Sequence, residues 1–221
     1  MLVDKPFGVT SFRVVDKLRY LLKKKYKVKK LKVGHAGTLD PLATGLLILC
    51  TGKLTKSIND YMAQNKVYVG TITLGATTPS YDLETAFDQI FPFEHIGEEQ
   101  LIQAAVSLTG RMEQTPPIFS AKKIDGEAAY EKARRGEDVV MRKAPVIVNK
   151  FELTRIELPE VDFLIECSKG TYIRSLAHDF GKKLNNGAHL SALRRAVSGN
   201  FNISQAKSME EWEEIIAKLT D

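Results

Sequence analysis

Two cysteines and one tryptophan are all that this 221-residue chain carries of either type. Cys50 and Cys167 lie too far apart in sequence to suggest a redox pair, and a reducing cytoplasm is the simplest compartment. Long apolar runs are missing as well. The longest, Leu46 to Cys50 approached by small residues from Pro41, falls far short of the ~20 residues that span a bilayer. Asp4 and Lys5 follow the start at once, so no signal peptide is read. No G-x-G-x-x-G follows a strand. Gly52-Lys53 fails as a phosphate loop, because Leu47 stands at the required glycine and Leu54 at the required Ser or Thr. His35, His95, His178 and His189 never pair at metal-ligand spacing, and no G-x-S-x-G marks a serine nucleophile. Neither a metal nor a cofactor is expected. His178-Asp179 could suggest acid–base work, but adjacent helix positions do not face each other, so a surface pair is expected there.

Acid is also scarce where base is dense. The chain has 32 Lys and Arg against 27 Asp and Glu, net +5, with a pI near 9.1. From Lys17 to Lys32 nine of sixteen residues are basic and none is acidic, whereas the tail from Met209 onward is net −4. Uncompensated positives repel one another unless an anion is near, so this run points to nucleic acid more than to a merely solvated face. Hydrophobic residues at 43% and charged residues at 27% are ordinary for a folded chain.

The patterning predicts a mixed α+β fold on a largely antiparallel sheet with flanking helices. Met1–Lys5 reads as a strand end. A helix runs from a cap at Thr10 or Ser11 to about Lys25, with Phe12, Val15, Leu18 and Leu22 on one face. Lys27–Pro41 reads as a long basic loop, Leu46–Cys50 as a buried strand, Leu54–Met62 as a short helix and Lys66–Leu74 as a strand of period two. Beyond a loop from Gly75 to Asp88, a helix over Glu98–Leu108 should turn Leu101, Ile102, Ala105 and Leu108 inward. Gly126–Arg135 predicts a short helix, Val146–Glu157 and Val161–Cys167 two strands, and Tyr172–Leu184 a helix. Gly187 opens a segment through Arg195 with no assigned element. An acidic helix over Met209–Leu219 comes last.

The densest motif is Gly34-His35-Ala36-Gly37-Thr38-Leu39-Asp40-Pro41-Leu42-Ala43-Thr44-Gly45-Leu46-Leu47. Its glycines permit tight or left-handed backbone, and the proline restricts the aspartate before it. Spacing alone leaves a capping aspartate and a functional one equally open. The string as a whole closely resembles the G-H-x-G-x-L-D-P-x-A-x-G-x-L signature of TruB-type tRNA pseudouridine synthases. Four further segments are similar to that family in the family's order: Val3 to Ser11 (K-P-x-G-x-[TS]-S), Lys66-Val67-Tyr68, Cys167 to Leu176 (C-S-K-G-T-Y-I-R) and Gly187 to Arg195 (G-A-x-[LV]-x-x-L-R-R).

The resemblance implies isomerisation of uridine to pseudouridine in the T loop of tRNA, at conventional position 55, without a cofactor. Asp40 is implied as the catalytic carboxylate. Attack at C1′, attack at C6 and removal of the C2′ proton all stay open to it. Arg174 is implied as the partner holding Asp40 ionised, Tyr68 and Tyr172 as packing on and hydrogen-bonding the uracil, and Leu193 as an apolar wall. His35 is implied to fill the space a flipped base leaves, a substrate-handling role rather than proton transfer. Lys23, Lys24, Lys25, Lys27, Lys29 and Lys30 would meet RNA phosphates. Residues 118–136 resemble the family's RNA-gripping insertion within a catalytic domain expected over 1–200. Only 201–221 remains beyond it, too short for the PUA-type RNA-binding module many members carry, so a short form ending in an acidic helix is expected. Thr77-Thr78-Pro79-Ser80-Tyr81-Asp82 departs from the common R-T-D-T-x-D, retaining its final aspartate. The expected partner is the tRNA T arm, with a monomer, no membrane and no obligate protein partner. The rivals are a catalytic subunit of guide-RNA-dependent pseudouridylation and a tRNA-binding or folding protein.

Overall fold

The computed structural model describes residues 1–124 and 126–219. In chain order the elements are β1 (Leu2–Lys5), α1 (Ser11–Lys25), β2 (Val33–His35), β3 (Ala43–Thr51), α2 (Ile58–Ala63), β4 (Lys66–Leu74), β5 (Ala76–Thr77) and β6 (Gln89–Ile90). Next come α3 (Glu98–Ser107), β7 (Gly110–Gln114), β8 (Lys123–Ile124), β9 (Glu127–Ala128), α4 (Ala129–Arg134), β10 (Ala144–Glu157) and β11 (Glu160–Cys167). The last are α5 (Ile173–Lys183), β12 (Ala188–Ser198), β13 (Phe201–Asn202) and α6 (Met209–Lys218). The fold is α+β, its sheet mixed and largely antiparallel, as the patterning predicts. Two compact units make up the chain: Met1–Tyr68 with Leu193–Asp221, and Val69–Ala192.

The first unit is built around β3. Successive strand residues point to opposite faces, so a strand covered on both sides reads as an unbroken apolar run. Leu47 and Leu49 join Val3, Val14, Val15, Leu18, Leu22, Met209 and Ile216 in one cluster, while Leu46, Ile48 and Cys50 join Ala36 in another. β1 runs antiparallel to β3, with Leu2 opposite Ile48 and Lys5 opposite Gly45. Helix α1 begins where expected, its Thr10 side chain accepting from the Arg13 amide at 3.2 Å. Phe12 does not face the core. It is 65% exposed, standing about 100° around the helix from Ser11, which turns inward instead. The expected basic loop also contains β2, whose Val33–His35 pairs antiparallel with β3. Three residues are too few to show a period, and the partner strand supplies the order. The segment 193–195, left unassigned above, belongs to β12 and runs parallel to Ala43–Gly45. Gly45 is required there: its φ is +102° and a Cβ would sit 2.4 Å from the Arg195 carbonyl oxygen.

The second unit packs α3 against β10 and α5. Strand β10 is paired antiparallel with β11 and β7, and β11, a strand as expected, alternates, burying Val161, Phe163, Ile165 and Cys167. Strand β10 buries Val146, Val148 and then Phe151, because a register shift between Val148 and Lys150 moves the inward set by one residue. Phe151 meets Phe163 and Phe180 at ring-centroid separations of 6.2 and 5.7 Å. Leu101, Ala104, Ala105 and Leu108 line the buried stripe around α3, whereas Ile102, one step around the helix, is 47% exposed against expectation. The helix expected from Gly126 begins only at Ala129, since Glu127–Ala128 pairs with Lys123–Ile124. Among the described residues no helix is long and apolar enough to cross a membrane.

Candidate active site

Asp40, His35, Tyr68 and Leu193 lie in the first unit, Tyr172 and Arg174 in the second. Asp40 occupies the turn between β2 and β3, half-buried. The backbone on both sides of it is tied down by side chains distant in sequence. The Ser11 hydroxyl donates to the Leu39 carbonyl and accepts from the Leu39 amide, both at 2.9 Å. The Gly8 amide donates to the Pro41 carbonyl at 2.9 Å, and the Ala43 amide closes the turn onto the Asp40 carbonyl at 3.1 Å.

Two cations that sequence reasoning left out as site residues sit beneath this turn, Lys5 and Arg195, with relative exposures of 0% and 1%. Lys5 Nζ donates to the carbonyls of Val9 at 2.6 Å, Pro6 at 2.9 Å and Pro41 at 3.4 Å. Burial lowers its pKa to about 8; the charge of Asp40 opposes the drop and that of Arg195 adds to it. Arg195 donates through Nε to the Leu46 carbonyl at 2.7 Å and through Nη2 to the Gly37 carbonyl at 3.0 Å. It therefore fastens both ends of the motif loop to β12. Beside it Arg194 grips Asp4 with two bonds of 3.0 and 2.7 Å. The only sequence signal for these roles was the family resemblance of the K-P and L-R-R segments.

His35 is half-buried, and its Nδ1 has no hydrogen-bond partner among the described residues. Burial first, and the charge of Arg195 second, hold its pKa below the ordinary imidazole range. A neutral flat ring suits stacking better than proton donation. Tyr68 is buried near the start of β4, and Leu193 is half-buried on β12 opposite Ala43.

In the second unit the Gln114 side chain locks the entry to α5. Its amide oxygen accepts from the Tyr172 amide at 2.8 Å and its nitrogen donates to the Tyr172 carbonyl at 3.0 Å. One residue into the helix, Arg174 is 3% exposed; its Nη1 donates to the carbonyls of Phe119 at 2.9 Å and Ser80 at 3.1 Å. Its Nε lies 3.6 Å from Oδ2 of Asp82, which is itself buried. Thus the aspartate that the altered 77–82 loop retains is a counter-charge for Arg174. His178-Asp179 is not the surface pair expected: both residues are half-buried, and the His178 ring stacks on Tyr81 with centroids 3.9 Å apart. The helix turns these residues toward the 78–82 loop, a contact no local window reveals.

Of the six lysines assigned to phosphates, Lys24, Lys27, Lys29 and Lys30 are exposed, while Lys25 donates to the Ala217 carbonyl at the end of α6 at 2.9 Å. The basic run is partly compensated, since Lys17 pairs with Glu213 of α6 and Arg19 with Asp16 at 2.5 Å. Among the described residues His, Cys, Asp and Glu do not gather in threes that could hold a metal ion.

Comparison with known proteins places the chain in a family. The model of the TruB family pseudouridylate synthase N-terminal domain matches residues 23–173, and that of the tRNA pseudouridylate synthase B C-terminal domain matches 174–221. A protein of Flavobacterium johnsoniae named tRNA pseudouridine synthase B is 53% identical over 215 residues, which is 97% of this chain and 94% of that one. One of the same name from Phocaeicola vulgatus is 51% identical, over 96% and 90% of the two chains. Among solved structures, a chain in a Cbf5–Nop10–Gar1 complex superposes with a TM-score of 0.73 at 29% identity, and one in an H/ACA particle bound to a substrate RNA with a TM-score of 0.69 at 26% identity. Of those two chains this protein spans about half, 53% and 52% of their length, while 96% of its own length is covered. With family models matching residues 23–221 and relatives 53% and 51% identical over nearly the whole chain, this protein belongs to the TruB family of pseudouridylate synthases.

Proposed function

We infer that the protein isomerises uridine to pseudouridine in tRNA, at the T-loop uridine of conventional position 55. The observation that carries the reading is the turn holding Asp40, whose neighbours Leu39 and Gly37 are bonded by the buried side chains of Ser11 and Arg195 and whose Pro41 carbonyl accepts from the Gly8 amide. A catalytic carboxylate must keep its place to within a fraction of an ångström, and this turn has no slack to lose. The reaction breaks N1–C1′, turns the uracil and joins C5 to C1′; the C5 proton leaves and N1 gains one, so no oxidant or added atom is needed. Asp40 acts beside C1′, where a carboxylate can attack or hold positive charge. Arg174 serves as its counter-ion. Tyr68 and Tyr172 bind the uracil, with Leu193 as an apolar wall, and the neutral His35 ring replaces the departed base in the stack. Flipping costs a few kcal/mol and is cheapest in a loop. The exposed lysines and the 118–136 insertion grip the RNA backbone. The relatives named as tRNA enzymes are matched over 90–94% of their length, which favours tRNA over a guide-RNA particle.

The test is an unmodified tRNA transcript incubated with wild type and Asp40→Asn, with and without guide RNA, and mapped for pseudouridine. Wild type modifies the T-loop uridine. Asp40→Asn binds tRNA within a few-fold yet loses at least ~10²-fold in turnover, the usual cost of removing such a charge. Product elsewhere refutes the site, product only with guide RNA moves the protein to the other pathway, and an active Asp40→Asn removes Asp40 from the chemistry.

A further inference from the structure

We propose that Tyr81 and His178 form a positioning device that sets Arg174 for catalysis, an inference that rests on the function proposed above. On α5, Arg174 and His178 are four residues apart and so lie one above the other on a single face. Three successive loop residues meet those two positions. The Ser80 carbonyl accepts from Arg174 Nη1 at 3.1 Å, the Tyr81 ring lies on His178 at 3.9 Å and 11° from parallel, and Asp82 faces Arg174 Nε at 3.6 Å. The ring pair thus occupies the helical turn next to the ion pair and sets the depth at which Ser80 and Asp82 reach the guanidinium.

The loop is wound for this purpose. Thr78 Oγ1 and Ser80 Oγ donate to the Asp82 carbonyl at 2.6 and 3.1 Å, and the Glu84 amide donates to Asp82 Oδ1 at 3.0 Å. The Tyr81 carbonyl accepts from the Leu190 amide at 2.9 Å. Tyr81 itself has φ +64°, a left-handed conformation that glycine adopts freely and a side chain resists. The strain is offset by the ring contact that this φ makes possible. Position 81 is the unspecified position of the R-T-D-T-x-D pattern, and the loop lacks that pattern's arginine and first aspartate, so the stack on His178 is a further hold on the segment. The imidazole brings no charge of its own to the arginine. Burial, and secondarily the charge of Lys182, lower the pKa of His178 to about 4, with Asp88 opposing. A neutral ring stacks beside Arg174 without repelling it.

The test is single-turnover and steady-state kinetics on tRNA for Tyr81→Ala, Tyr81→Gly, Tyr81→Phe, His178→Ala and His178→Leu, each checked for folding by circular dichroism. A misplacement of about 1 Å at a reacting group costs ~10²-fold. Tyr81→Ala and His178→Ala should therefore lose ten- to a hundredfold in kcat with KM for tRNA within twofold, and their double variant should lose little more than either alone. Tyr81→Phe keeps the ring and should stay within threefold of wild type. Tyr81→Gly relieves the backbone but removes the ring, so it should fall as far as Tyr81→Ala. His178→Leu preserves apolar volume without a flat face and should also fall, which keeps the test decisive if an alanine variant unfolds. Wild-type kcat in Tyr81→Gly or His178→Leu overturns the proposal, as does a loss that appears in KM alone. An active wild type with an inactive Asp40→Asn leaves the proposed function standing in that event; an inactive wild type overturns both.

Discussion

Replacing Lys5 with methionine removes a buried cation from beneath the Asp40 turn, and its consequences can be worked out from the geometry. The two shorter bonds, to Val9 and Pro6 at 2.6 and 2.9 Å, are charge-assisted and contribute about 1.5–3 kcal/mol each. The bond to Pro41 at 3.4 Å adds little. Opposing them is the cost of holding an ammonium group out of water, which the lowered pKa of about 8 sets at roughly 3 kcal/mol. Lys5→Met should thus destabilise the protein by only ~0–3 kcal/mol at pH 7. The pH dependence is the sharper signature. Between pH 8 and the unfolded lysine value of 10.5 the unfolded chain still holds the proton that the folded chain has released, so wild-type stability rises with pH. That extra stability is fully present above about pH 10.5 and is lost as pH falls through about 8. The gap between wild type and Lys5→Met should widen by about 2.5 kcal/mol from pH 7 to pH 10. Urea unfolding followed by the fluorescence of Trp212 measures it. That side chain is the only tryptophan and donates to the Leu2 carbonyl at 2.8 Å, within the same unit as Lys5. A gap that stays constant over this range would mean that Lys5 titrates as an exposed lysine, and the burial reasoning would be wrong.

Two other outcomes follow from the same unit. Changing Lys27, Lys29 and Lys30, all exposed, to glutamine should flatten the salt dependence of tRNA binding by about two units in a log–log plot and weaken every tRNA alike. Titrations at several salt concentrations check this, with turnover at saturating tRNA near wild type; unchanged slopes would return these lysines to a solvated surface. Ser208 accepts from the Glu211 amide at 3.1 Å while Glu211 accepts from the Ser208 amide at 2.7 Å, so Ser208→Ala should cost ~1 kcal/mol in the Trp212 transition and Ser208→Asn far less.

What local sequence determined here is what repeats locally. The unbroken Leu46–Cys50 run announced a buried strand, the period-two segment announced β4, and the stripe from Val15 to Leu22 with Thr10 ahead of it announced α1. The motif strings identified the family and singled out Asp40, because a string preserves residue order whatever the packing. Tertiary structure decided the fate of the charges. Apart from the family strings, no local pattern around Lys5, Arg174 or Arg195 marks them as buried, against the solvated lysines of the basic run. Lys5 is held mainly by the carbonyls of Pro6 and Val9, which the turn after β1 folds back onto it, whereas the two arginines are buried because carbonyls arrive from elsewhere in the chain, Ser80 and Phe119 for Arg174, Gly37 and Leu46 for Arg195. The same holds for β2, which has too few residues for a period and is ordered by β3, and for His178, turned inward by a loop nearly a hundred residues earlier. A buried cation is stable only where acceptors replace its water, and for Arg174 and Arg195 that replacement is made by long-range contacts.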